Sequence, residues 1–181
     1  VEKHIVYKER IEAPDARVLV TDDNIMNLQV FAGLLKQTKI IIDTALSGDE
    51  AIALTMKNKY DIIFMDHMMP EKDGIETLHD IREQDDNPNC DTAVICLTAN
   101  AISGAKEEYL NHGFDGYLSK PIDAGKLEDL LIKFLPDDKV NILGKEAEKT
   151  DEVVIPEIFV RLKEENLLDI DSGIKNSGSF D

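Results

Sequence analysis

The chain has 181 residues, of which 43% are hydrophobic and 31% charged, a balance that suits a soluble globular protein with one ordinary domain and a tail. Thirty-seven acids against 20 bases give a net charge of −17, which argues against direct contact with nucleic acid or an anionic membrane and favours a cation as partner. Two cysteines, Cys90 and Cys96, fit neither a disulfide framework nor a C-x-x-C metal site and are expected to be reduced thiols of a cytoplasmic protein.

Residues 1–15 are mixed and charged, close on Ala13-Pro14-Asp15, and are expected to be a linker from an upstream domain. The start on Val1 suggests a piece of a longer protein, which leaves a membrane-bound parent open. No apolar run in the chain approaches a membrane span. From Arg17 the pattern turns regular. Val18-Leu19-Val20 predicts a buried strand ending on Asp22-Asp23-Asn24, and Ile25, Leu28, Phe31, Ala32 and Leu35 recur at helical spacing. Lys39 to Ala45 predicts a second strand, and Ser47-Gly48 opens a second helix. Asp61 to Asp66 is a third, doubly covered strand, stopped by Pro70 and Gly74, with Asp73 placed to cap a helix through Ile75, Leu78 and Ile81. Thr92 to Leu97 is a fourth strand, followed by a helix from Ala105 to Leu110 that Asn111-His112-Gly113 ends. Gly116 to Ser119 is the fifth strand, and Ala124 to Leu135 an amphipathic closing helix.

Alternation of this kind with short connections implies right-handed crossovers and a parallel α/β sheet covered on both faces. The strand ends then collect at one carboxyl edge, where open sheets place their chemistry: Asp22 and Asp23 from the first strand, Asp66 from the third, Thr98 from the fourth and Lys120 from the fifth. Three converging carboxylates need a cation among them. Hard oxygen donors without His or Cys select Mg²⁺, an ion suited to phosphoryl chemistry, with Asp22 and Asp23 as its holders. Asp66 on the central strand is the candidate nucleophile, since a carboxylate can form an acyl phosphate. Lys120 supplies a compact positive charge and Thr98 a hydroxyl for the phosphoryl oxygens.

These motifs together resemble the receiver domain of two-component signalling, of the type attached to hybrid sensor histidine kinases. They are Val18 to Asn24, Asp66-His67-Met68-Met69-Pro70 with Asp73-Gly74, Leu97-Thr98-Ala99-Asn100, and Gly116-Tyr117-Leu118-Ser119-Lys120-Pro121. The resemblance implies a flavodoxin-like (βα)5 fold with strand order 2-1-3-4-5 over residues 16–136. It implies that Asp66 accepts a phosphoryl group from a phosphohistidine on a histidine kinase or histidine phosphotransfer domain, with Mg²⁺ held by Asp22, Asp23, Asp66 and the backbone carbonyl of Met68. It implies further that Thr98 and Lys120 meet the phosphate and that Tyr117 follows Thr98 as the switch aromatic. The output face is then the fourth helix, fifth strand and fifth helix, through which a dimer would also form, and the Lys120–Pro121 peptide is expected to be cis. Such a fragment phosphorylates and dephosphorylates only itself, while the parent would be a phosphotransferase.

His67, adjacent to Asp66 on a strand end, points to the other face and at most modulates access. The haloacid-dehalogenase phosphatases want D-x-D-x-T after the first strand, which Asp22-Asp23-Asn24-Ile25 does not supply, and a flavin site would need a glycine- and hydroxyl-rich loop there. A pseudo-receiver acting as a binding module is the alternative. Residues 137–155 are expected to be an acidic linker. Residues 156–181, through Leu168 to Ser179, resemble the opening of a histidine phosphotransfer domain, either as its partial start or as a disordered tail; the phosphorylatable histidine would lie beyond Asp181.

Overall fold

The computed structural model describes residues 11–99 and 105–143. Its centre is a five-stranded parallel sheet of β1 (Arg17–Thr21), β2 (Ile41–Ala45), β3 (Ile62–Asp66), β4 (Ala93–Thr98) and β5 (Gly116–Ser119), in the order β2-β1-β3-β4-β5. The intervening helices are α1 (Ile25–Leu35), α2 (Gly48–Lys57), α3 (Gly74–Glu83), α4 (Ala105–Asn111) and α5 (Ala124–Phe134). This is the doubly wound, flavodoxin-like order that the motifs imply. In register, Val18 lies beside Ile62 and Ile62 beside Ala93, so the strands end level with one another at the carboxyl edge.

Strand alternation sorts the core into two layers. Val18, Val20, Ile62, Phe64, Ile95 and Leu97 face α1 and α5, where they meet Phe31, Leu35, Leu127 and Leu131. Leu19, Ile63, Met65, Val94 and Cys96 face the other way, onto Ala51 of α2, Leu78 and Ile81 of α3 and Tyr109 of α4. All five residues of β3 are buried, because it is central in the sheet and covered on both faces. The helices start where side chains satisfy their first amides: Asn24 accepts from Met26, Ser47 from Glu50 and Asp123 from Lys126, while Asp73 and Glu76 form a reciprocal capping box.

Two details depart from the sequence expectations. The second strand starts at Ile41 rather than Lys39, because a 3-10 turn over Lys36–Thr38 ends on Lys39 in the left-handed region, φ 61°, and redirects the chain. Parts of both segments expected to be linkers also carry regular structure. Ile11–Glu12 pairs antiparallel with Asn141–Ile142 in a two-stranded ribbon, Ile11 and Ala13 are fully buried in the α1/α5 layer, and Lys139 is bonded to both oxygens of Asp61 at 2.8 and 2.9 Å. Ile11, Ala13 and Val140 pack into the end of the core opposite the strand tips, while Ile142 stays exposed. Asn100, residues 1–10 and 144–155 of the two expected linkers and the phosphotransfer-like stretch 156–181 lie outside the described residues. Among the described residues no helix is long and apolar enough to cross a membrane.

Candidate functional site

The edge where the strands end carries every residue expected there. Asp22 follows β1 directly, its amide bonded to the Ala45 carbonyl at 3.1 Å, which fixes it beside β2. Its carboxylate is 1% exposed by residue and fully engaged: Oδ1 accepts from the Asn24 amide at 2.9 Å, the Asn27 side-chain amide reaches both oxygens at 3.0 and 3.1 Å, and Lys120 Nζ lies 2.6 Å from Oδ2. Asp66 closes β3 and is also buried, with Lys120 Nζ 3.0 Å from its Oδ2 and the Met68 amide 3.4 Å from its Oδ1. Asp23 is exposed.

One ammonium thus bridges two buried carboxylates. Burial pushes the Asp66 carboxyl above its usual range, the hydrogen bond and charge of Lys120 oppose this, and the nearby Asp22 charge adds to it. Burial pulls the Lys120 ammonium down, but its bonds to Asp22 and Asp66 outweigh that and raise it. Lys120 is therefore a fixed positive charge between the carboxylates. Asp22, Asp23 and Asp66 each offer an oxygen within 4.8 Å of the others, an all-oxygen donor set whose chemistry fits a hard divalent cation such as Mg²⁺.

Backbone contacts hold these side chains in place. The Lys120 amide donates to the Thr98 carbonyl at 2.8 Å, the His67 amide to Leu97 at 2.9 Å, and the Lys120–Pro121 peptide is cis, as the motif implies. After Asp66 the chain loops back so tightly that the Gly74 amide donates to the His67 carbonyl at 3.1 Å, and a Cβ on Gly74 would lie 2.3 Å from the Asp66 carbonyl oxygen. Only glycine fits there. Thr98, 3% exposed, shares a 2.8 Å hydrogen bond with the hydroxyl of Tyr109 on α4. Tyr117 is half-buried against the α2/α3/α4 layer, and the Met68 side chain is exposed. His67 turns to the face opposite Asp66, as strand alternation requires, and packs edge-on to Tyr109 at 5.2 Å between ring centres. Asn27 and Tyr109 escaped the sequence reading. Asn27 sits in the first turn of α1 directly after the acid pair, which was a usable signal; Tyr109 carried only the signal of one aromatic in a polar helix.

Residues 18–132 match the family model of the response regulator receiver domain. The chain belongs to that family. Among curated relatives, this receiver is 33% identical over 142 residues to the signal transduction histidine-protein kinase BarA of Escherichia coli, covering 77% of this chain and 15% of BarA. It thus spans about 15% of the length of such a relative. Its fold is similar to the receiver domain of the Pseudomonas aeruginosa sensor histidine kinase PA1611, solved with a magnesium ion in its active-site cleft. That match has TM-score 0.59 and 29% identity and covers 66% of this chain and 96% of the other. It is also similar to a chain in the complex of the Saccharomyces cerevisiae phosphotransfer protein Ypd1 with the receiver domain of Ssk1. Here the TM-score is 0.61 and the identity 26%, with 67% of this chain and 90% of that chain covered. The acidic cluster of this chain is consistent with a phosphoacceptor site.

Proposed function

We propose that this receiver domain is one station of a phosphorelay, in which Asp66 takes a phosphoryl group from a partner's phosphohistidine. A carboxylate oxygen of Asp66 attacks phosphorus, the P–N bond breaks, and the departing imidazole keeps the electron pair and picks up a proton. Water later cleaves the acyl phosphate to inorganic phosphate and the free carboxylate. The observation that carries the reading is Lys120 set 2.6 Å from Asp22 and 3.0 Å from Asp66, a pre-placed charge where phosphoryl oxygens would come to lie. Asp22, Asp23 and Asp66, with the Met68 carbonyl, would hold Mg²⁺. Charge neutralisation on the transferring group is what the bound ion supplies.

Thr98 donates its hydroxyl to the phosphoryl group, and Tyr117 follows it, biasing the face of α4, β5 and α5. The partner is a histidine kinase or histidine phosphotransfer domain. Beside the acidic cluster, α1 exposes Ile25, Met26 and Val30 to more than half of their surface, and Met68 is 72% exposed, an apolar rim on which a protein donor can seat itself. The parent is a hybrid sensor histidine kinase with this domain on the cytoplasmic side.

The test compares a phosphorylated histidine phosphotransfer protein with a small-molecule donor. Asp66→Asn should accept from neither, whereas Val30→Asp should lose transfer from the protein donor and keep labelling by the small molecule. If the native chain accepts from neither source, the domain is a binding module with a receiver fold.

A further inference from the structure

Tyr109 is the buried residue of α4, 5% exposed on a helix whose other members are Ala105, Lys106, Glu107, Glu108, the exposed Leu110 and Asn111. Its ring is bracketed edge-on by His67 at 5.2 Å and by Phe114 at 6.3 Å. A buried phenol needs a hydrogen-bond partner, and Thr98, itself 3% exposed, supplies one at 2.8 Å. The same Thr98 hydroxyl is the one assigned to the phosphoryl group, so a role for Tyr109 in switching rests on the phosphoacceptor reading. Tyr109 touches both the residue next to Asp66 and the residue meant to meet the phosphate. Tyr117, the aromatic the sequence singles out, lies on β5 rather than on α4.

A threonine hydroxyl has one proton to donate, and its β-branched side chain occupies discrete staggered wells at χ1. Moving Oγ1 from α4 toward a phosphoryl group on Asp66 is then a jump between wells. A bond already at 2.8 Å does not survive it.

We propose that Tyr109 is a positioning residue that latches Thr98: its hydroxyl holds the Thr98 hydroxyl against α4, and phosphorylation of Asp66 has to break that bond, which frees α4. The cost of the broken bond opposes phosphorylation, so the latch sets how readily the domain switches. His67 buttresses the ring edge-on.

The experiment is titration of the full chain with beryllofluoride, a phosphoryl mimic, at fixed Mg²⁺, by calorimetry. It uses the native chain, Tyr109→Phe, Thr98→Ala and the double variant, each with a melting curve. Phenylalanine keeps the ring and its contacts with His67 and Phe114, so only the hydroxyl is removed. Tyr109→Phe should bind beryllofluoride about two- to tenfold more tightly, the factor that one net hydrogen bond represents. In the Thr98→Ala background the same change should leave the affinity where it was. A merely structural Tyr109 would lower the melting temperature without this dependence on Thr98. Equal or weaker binding by Tyr109→Phe overturns the latch, weaker binding meaning that Tyr109 donates to Thr98 in the bound state. A gain that persists without Thr98 overturns it too. A native chain that binds no beryllofluoride removes the phosphoacceptor reading itself, an outcome distinct from the others.

Discussion

Replacing Lys120 with methionine keeps most of the side-chain volume and removes the charge between two carboxylates. The Asp22 side chain is 2% exposed and the Asp66 side chain 8%, so neither can turn to water for compensation. Removing one partner of a buried ion pair costs about 3–5 kcal/mol when the remaining charge stays ionised. Here the remaining charges also face each other. Asp66 already stands above the usual carboxylate range because of burial, and Lys120 is the group holding it down. Without the lysine its folded-state pKa rises further above the unfolded value. A group raised in this sense favours the fold at low pH and loses that advantage as pH climbs through its folded pKa. Lys120→Met should therefore be destabilised at pH 7, yet gain stability relative to the native domain as the pH falls toward 5. It should also respond more strongly to Mg²⁺, since the ammonium no longer competes for the same oxygens. At a tenfold excess over its dissociation constant, an ion that binds only the folded state contributes roughly 1.4 kcal/mol. Urea unfolding at pH 7 and 5, with and without millimolar Mg²⁺, measures both effects. Equal Mg²⁺ increments in the two proteins, with no relative gain on acidification, would refute the role given to Lys120.

Gly74→Ala should fail to fold or lose several kcal/mol, read by urea denaturation, because the new Cβ meets a backbone carbonyl, 2.3 Å away, rather than a side chain able to move. Of the two thiols, Cys90 is partly accessible while Cys96 is buried, with burial pushing its pKa up to about 12. A thiol reagent at pH 8 should titrate one cysteine in the native protein and two in urea. Tyr60 is likewise pushed up to about 12, by burial first and then by its hydrogen bond to Asp43. Both groups favour the fold below their unfolded pKa values, so stability should decline as pH rises from about 9 toward 12. Ile11→Ala should cost about 2–5 kcal/mol in the same denaturation assay, because Ile11 is fully buried in the α1/α5 layer rather than part of a free linker.

The strands were legible because β1, β3 and β4 are buried between two helical layers and so carry unbroken apolar runs. The site was legible because each of its residues ends a strand: Asp22, Asp66, Thr98 and Lys120 needed only the topology to bring them to one edge. What sequence could not supply were contacts made by residues far apart along the chain. The Ile11–Glu12 and Asn141–Ile142 ribbon is too short for any periodicity, and its halves sit in charged segments at opposite ends of the domain. Lys39 adopts a left-handed turn more typical of glycine or asparagine, so the strand start was displaced. Tyr109 looks like an ordinary core position of a polar helix; only packing puts its hydroxyl on Thr98.

Phosphorylation of Asp66 with the help of the acidic cluster and Lys120 is tested most directly by intact-mass spectrometry after incubation with acetyl phosphate, with and without Mg²⁺. One phosphoryl increment on the native chain, dependent on Mg²⁺ and lost in Asp66→Asn, is the expected result. An increment that persists in Asp66→Asn, or none in the native chain with Mg²⁺ present, would contradict it.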